Sequence, residues 1–329
     1  MDRFAKYFEW NGASPVYQLF RVLSRPGRIA RAVAIIFTSV LCVHAAERIE
    51  LKPDDIVGFV GGADVAAAQH TGHLESLLAL AHPGVRFRNF GWEGDTVFAQ
   101  PRDFNFPPLA DHIRKAGATV IFVQFGRMEI FAENVGQFRP AYEKLLDTLT
   151  QITARLVLVT PIPFERPGEP LPDLSRRNSD LEKIAAGLRE ISKQRHLPLI
   201  DLYSALLQQG ERFTEDGLQL TPRGHGVVAL AFAKELGLKH APILAGNSAW
   251  QEKDSESLRQ LITAKNRLWF DYWRPQNWAF LGGDRVEQPS SRDHRDPKIR
   301  WFPQEMQKFE PLISQKENEI SALARKTAN

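Results

Sequence analysis

The segment TEDGLQLTPRGH, residues 214–225, has the spacing of a catalytic acid–base pair but lacks the base. Asp216 is followed three residues later by Gln219. At this spacing a carboxylate can orient a second side chain, which is one way in which a hydrolase holds the base that activates its nucleophile. Gln219 is an amide that does not titrate, so it cannot accept a proton. The segment therefore raises the question of what Gln219 does at a position where a hydrolase could hold its base.

Alternating β-type and helical patterns predict the elements that position this segment. The predicted strands are residues 56–61, 85–90, 119–125, 155–160 and 197–202, and helical spacing of apolar residues occurs near 72–81, 107–116, 138–153 and 178–195. This alternation predicts an α/β fold, a three-layer α/β/α sandwich around a five-stranded parallel sheet, flavodoxin-like. Ligands of such sheets bind at the carboxyl ends of the strands. Four segments belong there: GGADV, GWEGDT, GRMEIF and TEDGLQL.

The order of these segments resembles the SGNH/GDSL hydrolase superfamily, in particular secreted bacterial esterase-like proteins with a WRPQN-containing C-terminal extension. The resemblance covers residues 55–238 and, for the extension, 255–325. It implies a serine nucleophile in a Gly-Asp-Ser turn after the first strand. It also implies an oxyanion hole formed by a glycine after the second strand and an asparagine after the third, and a base and its acid in an Asp-x-x-His turn.

Three of these five family positions hold side chains that cannot perform the implied chemistry. Ala63 occupies the nucleophile position, Met128 the oxyanion asparagine position and Gln219 the base position, whereas Gly94 and Asp216 are retained. Acyl transfer needs a nucleophile, a base and fixed donors for the oxyanion. Loss of the nucleophile or the base alone removes nearly all of the triad's contribution, a factor on the order of a million in a comparable Ser/His system. We therefore expect a catalytically degenerate member of the superfamily.

Other polar residues are predicted to face the same crevice. Three carboxylates could bind a divalent cation there, although acids at such positions more often cap helices, and we predict neither metal nor cofactor. GGAD lacks the lysine and the spacing of a phosphate-binding loop. The candidate ligand-binding residues are Asp64, Asp95, Thr96, Arg127, Glu129, His225 and His294.

Two alternatives would restore a hydrolase. His225, at the predicted start of a helix, could act as the base together with Asp64. The extension also brings Ser290, Ser291, Asp293 and His294 together in PSSRDH, and these could fold across the crevice. Triad partners normally converge from separate loops, which weighs against the second alternative.

The first 45 residues are predicted to be a signal peptide. The basic RPGRIAR precedes the apolar AVAIIFTSVLCVHA, which is too short to span a bilayer comfortably, and small residues favour cleavage after Ala45. We therefore expect export to the periplasm or beyond; the alternative is a retained membrane anchor. The rest of the chain has 36 basic and 37 acidic residues, which gives no support for a nucleic-acid partner. The only cysteine, Cys42, lies in the leader, so no disulfide is expected.

The chain is predicted to continue from a hydrolase-type domain, residues 46–240, into a helical extension, residues 241–329, that contains five of the seven tryptophans. Trp269 and Trp273, spaced four residues apart on one helix, are expected to pack the extension onto the domain. The predicted partner is an acylated glycan, a small ester or another cell-surface ligand. The alternatives are an active carboxyl-ester hydrolase with non-standard residues, such as a carbohydrate deacetylase, and an interaction scaffold that acts through the extension.

Overall fold

The predicted strands form a single parallel sheet in the computed structural model, which describes residues 49–328. The strands are β1 (Ile56–Gly61), β2 (Arg86–Asn89), β3 (Val120–Gln124), β4 (Leu156–Val159) and β5 (Leu199–Ile200). They are ordered β2-β1-β3-β4-β5, and every neighbouring pair is parallel. The connections reverse direction between β1 and β3, which places the ligand crevice at the carboxyl ends of these two strands. The predicted fold class is confirmed. The predicted leader, its cleavage after Ala45 and Cys42 lie outside the described residues.

Eleven α-helices connect and cover the sheet within residues 49–328. They are α1 (Ala63–Thr71), α2 (His73–Ala81), α3 (Leu109–Ala116), α4 (Phe138–Thr150), α5 (Asn178–Arg195), α6 (Leu202–Leu207), α7 (Pro222–Glu235), α8 (Lys253–Trp273), α9 (Trp278–Leu281), α10 (Trp301–Gln307) and α11 (Phe309–Ala328). The sequence patterns did not predict α1. Its buried residues are Val65, Ala66 and Gln69, which do not form an apolar stripe, and Gly72 ends the helix with φ of 69°.

The two faces of the sheet bury separate apolar clusters because successive side chains of a strand point to opposite sides. On β3, Ile121 and Val123 face the cluster that covers α3, α4 and α5. Val120 and Phe122 face the other cluster, which contains α1, α2, α7 and α8. All four side chains are at most 2% exposed, so the strand is buried on both sides, as in parallel sheets covered by helices.

The extension packs on the edge of the sheet domain. Its long helix α8 contacts α1, α2, β2 and α11. Trp269 donates a hydrogen bond from Nε1 to the carbonyl oxygen of Asn89 at 2.8 Å, and Trp273 lies edge-to-face on Phe90 at 5.6 Å. Both tryptophans are buried, so their predicted packing role is confirmed. The extension ends in two consecutive helices, α10 and α11. None of the helices in residues 49–328 combines the length and apolar content of a membrane span.

Candidate functional site

The crevice lies where the loops after β1 to β4 meet, as expected from the sheet topology. Ala63 is the first residue of α1, directly after β1 and the N-cap Gly62. The third loop contributes the segment from Gly126 to Glu129. The lining consists of Gly62, Ala63, Asp64, Asp95, Gln124, Phe125, Gly126, Arg127, Met128, Glu129 and Pro161. This lining contains no serine, threonine, cysteine or histidine side chain, so it offers neither the hydroxyl nor the imidazole of a serine hydrolase.

The retained acid Asp216 stabilises its own turn. Its Oδ1 accepts hydrogen bonds from the backbone N–H groups of Leu218 at 2.9 Å and Gln219 at 2.7 Å. These bonds, with the Gln219 N–H first, and the nearby Arg127 guanidinium hold the pKa of Asp216 below its usual range. Gln219 is exposed and contributes backbone groups to the turn, including a carbonyl that accepts from Glu215 N–H at 2.8 Å. The acid therefore has a structural use that does not require a base.

Arg127 closes the crevice. Its guanidinium donates to Asp64 Oδ1 at 2.7 Å and lies 5.0 Å from the centre of the Phe164 ring. The Arg127 side chain is only 4% exposed. The space that remains among the lining residues has a volume of about 20 Å³, room for about one water molecule. The Arg127–Asp64 pair therefore lies in the crevice beside Ala63, where little room remains for an acyl group.

Glu129 joins two loops of the crevice. One carboxylate oxygen accepts from Val97 N–H at 3.0 Å and the other from Gly126 N–H at 2.8 Å. Burial raises the pKa of this carboxyl despite these bonds. Because one carboxylate holds the loop after β2 against the loop after β3, Glu129 stabilises the crevice walls.

Asp95 forms a second closed ion pair, with Arg102. The two Arg102 N–H groups reach the Asp95 oxygens at 2.6 and 2.7 Å, and burial is the main cause that raises the pKa of Asp95. The Arg102 guanidinium lies 4.1 Å from the centre of the Trp92 ring, and that of Arg274, from the extension, lies 3.8 Å from it. Arg274 also pairs with Glu93 at 2.9 Å. Through Arg274, the extension therefore contacts and stabilises the loop that carries Gly94.

Sequence reasoning missed Arg102 and Arg274 because neither occupies a family motif position. Arg274 was visible only as the arginine of WRPQN, and nothing in that motif indicates a contact with residues 181 positions earlier. Gly94 itself is exposed, and an added Cβ there would meet no atom within 4 Å. Thr96 accepts hydrogen bonds at Oγ1 from the backbone N–H groups of Phe98 and Ala99, which makes it a turn residue.

The three predicted carboxylates do not form a cation site. Asp64 pairs with Arg127, Asp95 pairs with Arg102, and Glu129 accepts from backbone N–H groups. Within residues 49–328, no three His, Cys, Asp or Glu side chains converge in a way that could hold a metal ion. These acids do not cap helices either, because their partners are arginines and backbone amides of loops.

His225 lies away from the crevice. It is in the first turn of α7, and burial lowers its pKa to about 4, with the charges of His73 and His70 contributing. His70 and His73 flank the end of α1, seven and ten residues after Ala63. His225 is not among the residues that line the crevice, so the structure gives no support for it as a base for a group at position 63.

The serine–histidine cluster of the extension also stays outside the crevice. Ser291 donates from Oγ to the carbonyls of Val286 and Gln288, each at 2.7 Å. Asp293 accepts from Arg295 N–H at 2.6 Å, and the His294 side chain is 80% exposed. No residue of the extension lines the crevice. The structure therefore does not place the PSSRDH segment across the crevice, as the second alternative requires.

Comparison with known protein families identifies the same part of the chain. The model of the GDSL-like lipase/acylhydrolase family matches residues 54–227, more than half of the chain. The search of curated protein sequences finds no significant match.

Three solved structures have folds similar to that of this chain. BT4096, a gut microbial diltiazem-metabolizing enzyme, has a TM-score of 0.53 at 12% identity, over 86% of this chain and 97% of its own. A catalytic mutant of Axe2, an acetylxylan esterase from Geobacillus stearothermophilus, has a TM-score of 0.45 at 13% identity, over 58% and 98%. LAE5, an alpha/beta hydrolase from the metagenome of Lake Arreo, Spain, has 0.45 at 16%, over 58% and 99%. At these identities the likeness concerns the fold alone, and only the first has a TM-score above 0.5.

Proposed function

The chain belongs to the GDSL-like lipase/acylhydrolase family, and it has Ala63, Met128 and Gln219 where the resemblance places the reacting groups. We propose that it is a catalytically inactive member that binds a ligand. One observation carries this proposal: the crevice around Ala63 contains neither a hydroxyl nor an imidazole side chain. A fold does not fix a function, so the site must decide between catalysis and binding. Here the residues at the crevice are an alanine, a methionine and closed ion pairs.

The ligand that we propose is an acylated glycan or another cell-surface molecule, met after export of the protein. The family membership supports this class, because its name describes enzymes that act on acyl groups. The closed Arg127–Asp64 pair limits how such a ligand could use the old crevice. Since only about 20 Å³ is open there, little room remains for a ligand beside this pair.

Hydrolysis of p-nitrophenyl acetate by the purified protein tests the loss of catalysis. We expect no turnover above buffer for the wild type, and the same result for the variants Asp216→Ala and His294→Ala. Asp216→Ala removes the retained family acid, and His294→Ala removes the exposed histidine of the extension. Turnover by the wild type that disappears in either variant would establish an active ester hydrolase with non-standard residues and refute the proposal.

A phosphonate probe that labels activated serines provides an independent readout. Ser290 and Ser291 are the serines that the rescue alternative requires, and Ser291 already donates its hydroxyl to two carbonyls. We expect no covalent adduct in the intact mass of the protein. An adduct mapped to either serine would contradict the proposal even if the ester used in the turnover assay were a poor substrate.

The second candidate is an interaction module that acts through the extension. The observation in its favour is the large groove between α3 and the extension, described below. Deleting the extension is not a useful test, because Leu258 and Ile262 of α8 belong to the buried core. Point substitutions on the surface of the extension are therefore needed.

A further inference from the structure

A groove far larger than the crevice lies between α3 and the extension. Its volume is about 1220 Å³, against about 20 Å³ for the crevice. Pockets for small ligands commonly have about 300–1,000 Å³, so this groove has room for a ligand of several linked rings. We call it the extension groove; it is bounded by α3, the C-terminal end of α8, α9, α10 and the start of α11.

The walls of the extension groove present flat apolar surfaces. Tyr272 and Trp278 are partly exposed, and Pro107, Pro275 and Pro303 stand in the same lining. The Trp278 ring is held in place, since its Nε1 donates to the Phe104 carbonyl at 2.8 Å. It also lies edge-to-face on Phe106 at 4.9 Å. A fixed aromatic ring loses little entropy when a ligand stacks on it.

The charges in the lining balance, so the groove favours a neutral ligand. Its two acids, Asp111 and Glu310, are matched by two bases, Arg88 and Lys115. Asp111 pairs with Arg114 at 2.7 Å, and Arg88 pairs with Glu317. The remaining groups are also engaged. Glu310 accepts from the Tyr272 hydroxyl, and the Lys115 ammonium lies 5.0 Å from the centre of the Tyr272 ring.

Two polar atoms in the lining residues are buried with no partner among the described residues: Nε1 of Trp273 and Nε2 of His112. The two rings are 5.6 Å apart, edge-to-face. Burial lowers the pKa of His112 to about 4, so the imidazole is neutral at pH 7 and one of its nitrogens accepts. The indole N–H can only donate. Because the two rings are in contact, a hydroxyl group would reach these atoms only if the ring contact opened, and it would then accept from Trp273 and donate to His112.

We propose that the extension groove binds a neutral oligosaccharide, with sugar rings stacked on Tyr272 and Trp278 and with a sugar hydroxyl that opens the Trp273–His112 contact and bonds to both rings. A sugar ring combines an apolar C–H face with hydroxyls that donate and accept, which matches this lining. The glycan class of this ligand rests on the proposed function. The binding site, however, lies in the extension groove and not in the crevice.

Titration calorimetry with neutral oligomers of glucose, xylose and N-acetylglucosamine of increasing length tests the proposal. We expect saturable binding by the wild type that strengthens with oligomer length. Trp278→Ala should weaken it at least tenfold, since a stacked aromatic contributes burial and specific geometry. The matched control is Trp301→Ala, which removes an exposed tryptophan of α10 outside the groove and should leave the affinity unchanged.

A second variant covers the possibility that Trp278→Ala disturbs folding. Ser314 is exposed on α11 and lines the groove, so Ser314→Trp fills the groove without removing a contact of the fold. Circular dichroism should be unchanged, while binding should be lost.

No saturable binding at millimolar oligosaccharide, or equal affinity in Trp278→Ala and Trp301→Ala, would overturn the proposal. Sedimentation that reveals a dimer dissociated by Ser314→Trp would also overturn it, because the groove would then be occupied by a second copy. These outcomes are independent of p-nitrophenyl acetate turnover and of phosphonate labelling, which test whether the protein is catalytically inactive.

Discussion

A buried ion pair that joins the extension to the sheet domain gives a prediction whose magnitude follows from the structure. Lys265 of α8 places Nζ 2.6 Å from Glu75 Oε1 of α2, with the two side chains 1% and 9% exposed. The ammonium also donates to the Phe87 carbonyl at 3.1 Å, and the charge of Arg88 acts on it. The near-isosteric change Glu75→Gln therefore leaves a buried ammonium beside another cation.

The cost can be bounded in two ways. At an effective dielectric constant of 20, charges 2.6 Å apart attract by about 6 kcal/mol, and breaking a buried pair typically costs about 3–5 kcal/mol. Lys265 can instead release its proton, which costs about 5 kcal/mol at pH 7 from an ordinary pKa near 10.4. We therefore expect Glu75→Gln to destabilise the protein by about 3–5 kcal/mol. For a chain of this size, the melting temperature would fall by about 10 °C.

Thermal unfolding followed by circular dichroism measures this effect. The matched control is Glu319→Gln, which removes a partly exposed pair with Lys316 and should cost less than about 1 kcal/mol. The double variant Glu75→Gln/Lys265→Met removes both charges and should recover most of the loss. The penalty of the single variant should also shrink at pH 9, because release of the proton is then easier. The reasoning is refuted if Glu75→Gln and Glu319→Gln have the same melting temperature. It is also refuted if the melting temperature of the double variant is no higher than that of Glu75→Gln.

Three further predictions concern packing, pH and catalysis. Trp269→Ala should cost about 3–5 kcal/mol in urea unfolding, since it removes a buried indole and its hydrogen bond to Asn89; a loss below about 1 kcal/mol would contradict the packing role. His225 has a pKa of about 4 in the fold and an ordinary value near 6.5 when unfolded, so it contributes stability above pH 6.5 that is lost as pH falls to 4. In that window His225→Gln should flatten the pH dependence of stability by up to about 1.4 kcal/mol per pH unit, and an unchanged slope would refute this. Ala63→Ser should remain inactive towards p-nitrophenyl acetate because no imidazole lines the crevice; turnover by this variant would reveal a base near residue 63.

The amino-acid sequence determined the fold class and the residue types at the positions where the resemblance places the reacting groups. Apolar runs alternating with helical patterns predict a parallel sheet because each pattern is local and repeats with the period of its element. The replacements Ala63, Met128 and Gln219 are likewise local chemical facts, since no packing can give alanine a hydroxyl. The helix α1 was missed because its residues do not form an apolar stripe, so the local pattern was weak.

Only the tertiary structure decided which side chains occupy the crevice and where the extension groove lies. The Arg127–Asp64 contact joins residues 63 positions apart, and the Lys265 bond to Phe87 joins residues 178 apart. His225 lies in the first turn of α7 and is not among the residues that line the crevice, which the spacing TPRGH did not reveal. Such contacts depend on which elements become neighbours and at what angle. No spacing within the chain encodes that geometry, because it results from the joint packing of all the elements on the sheet.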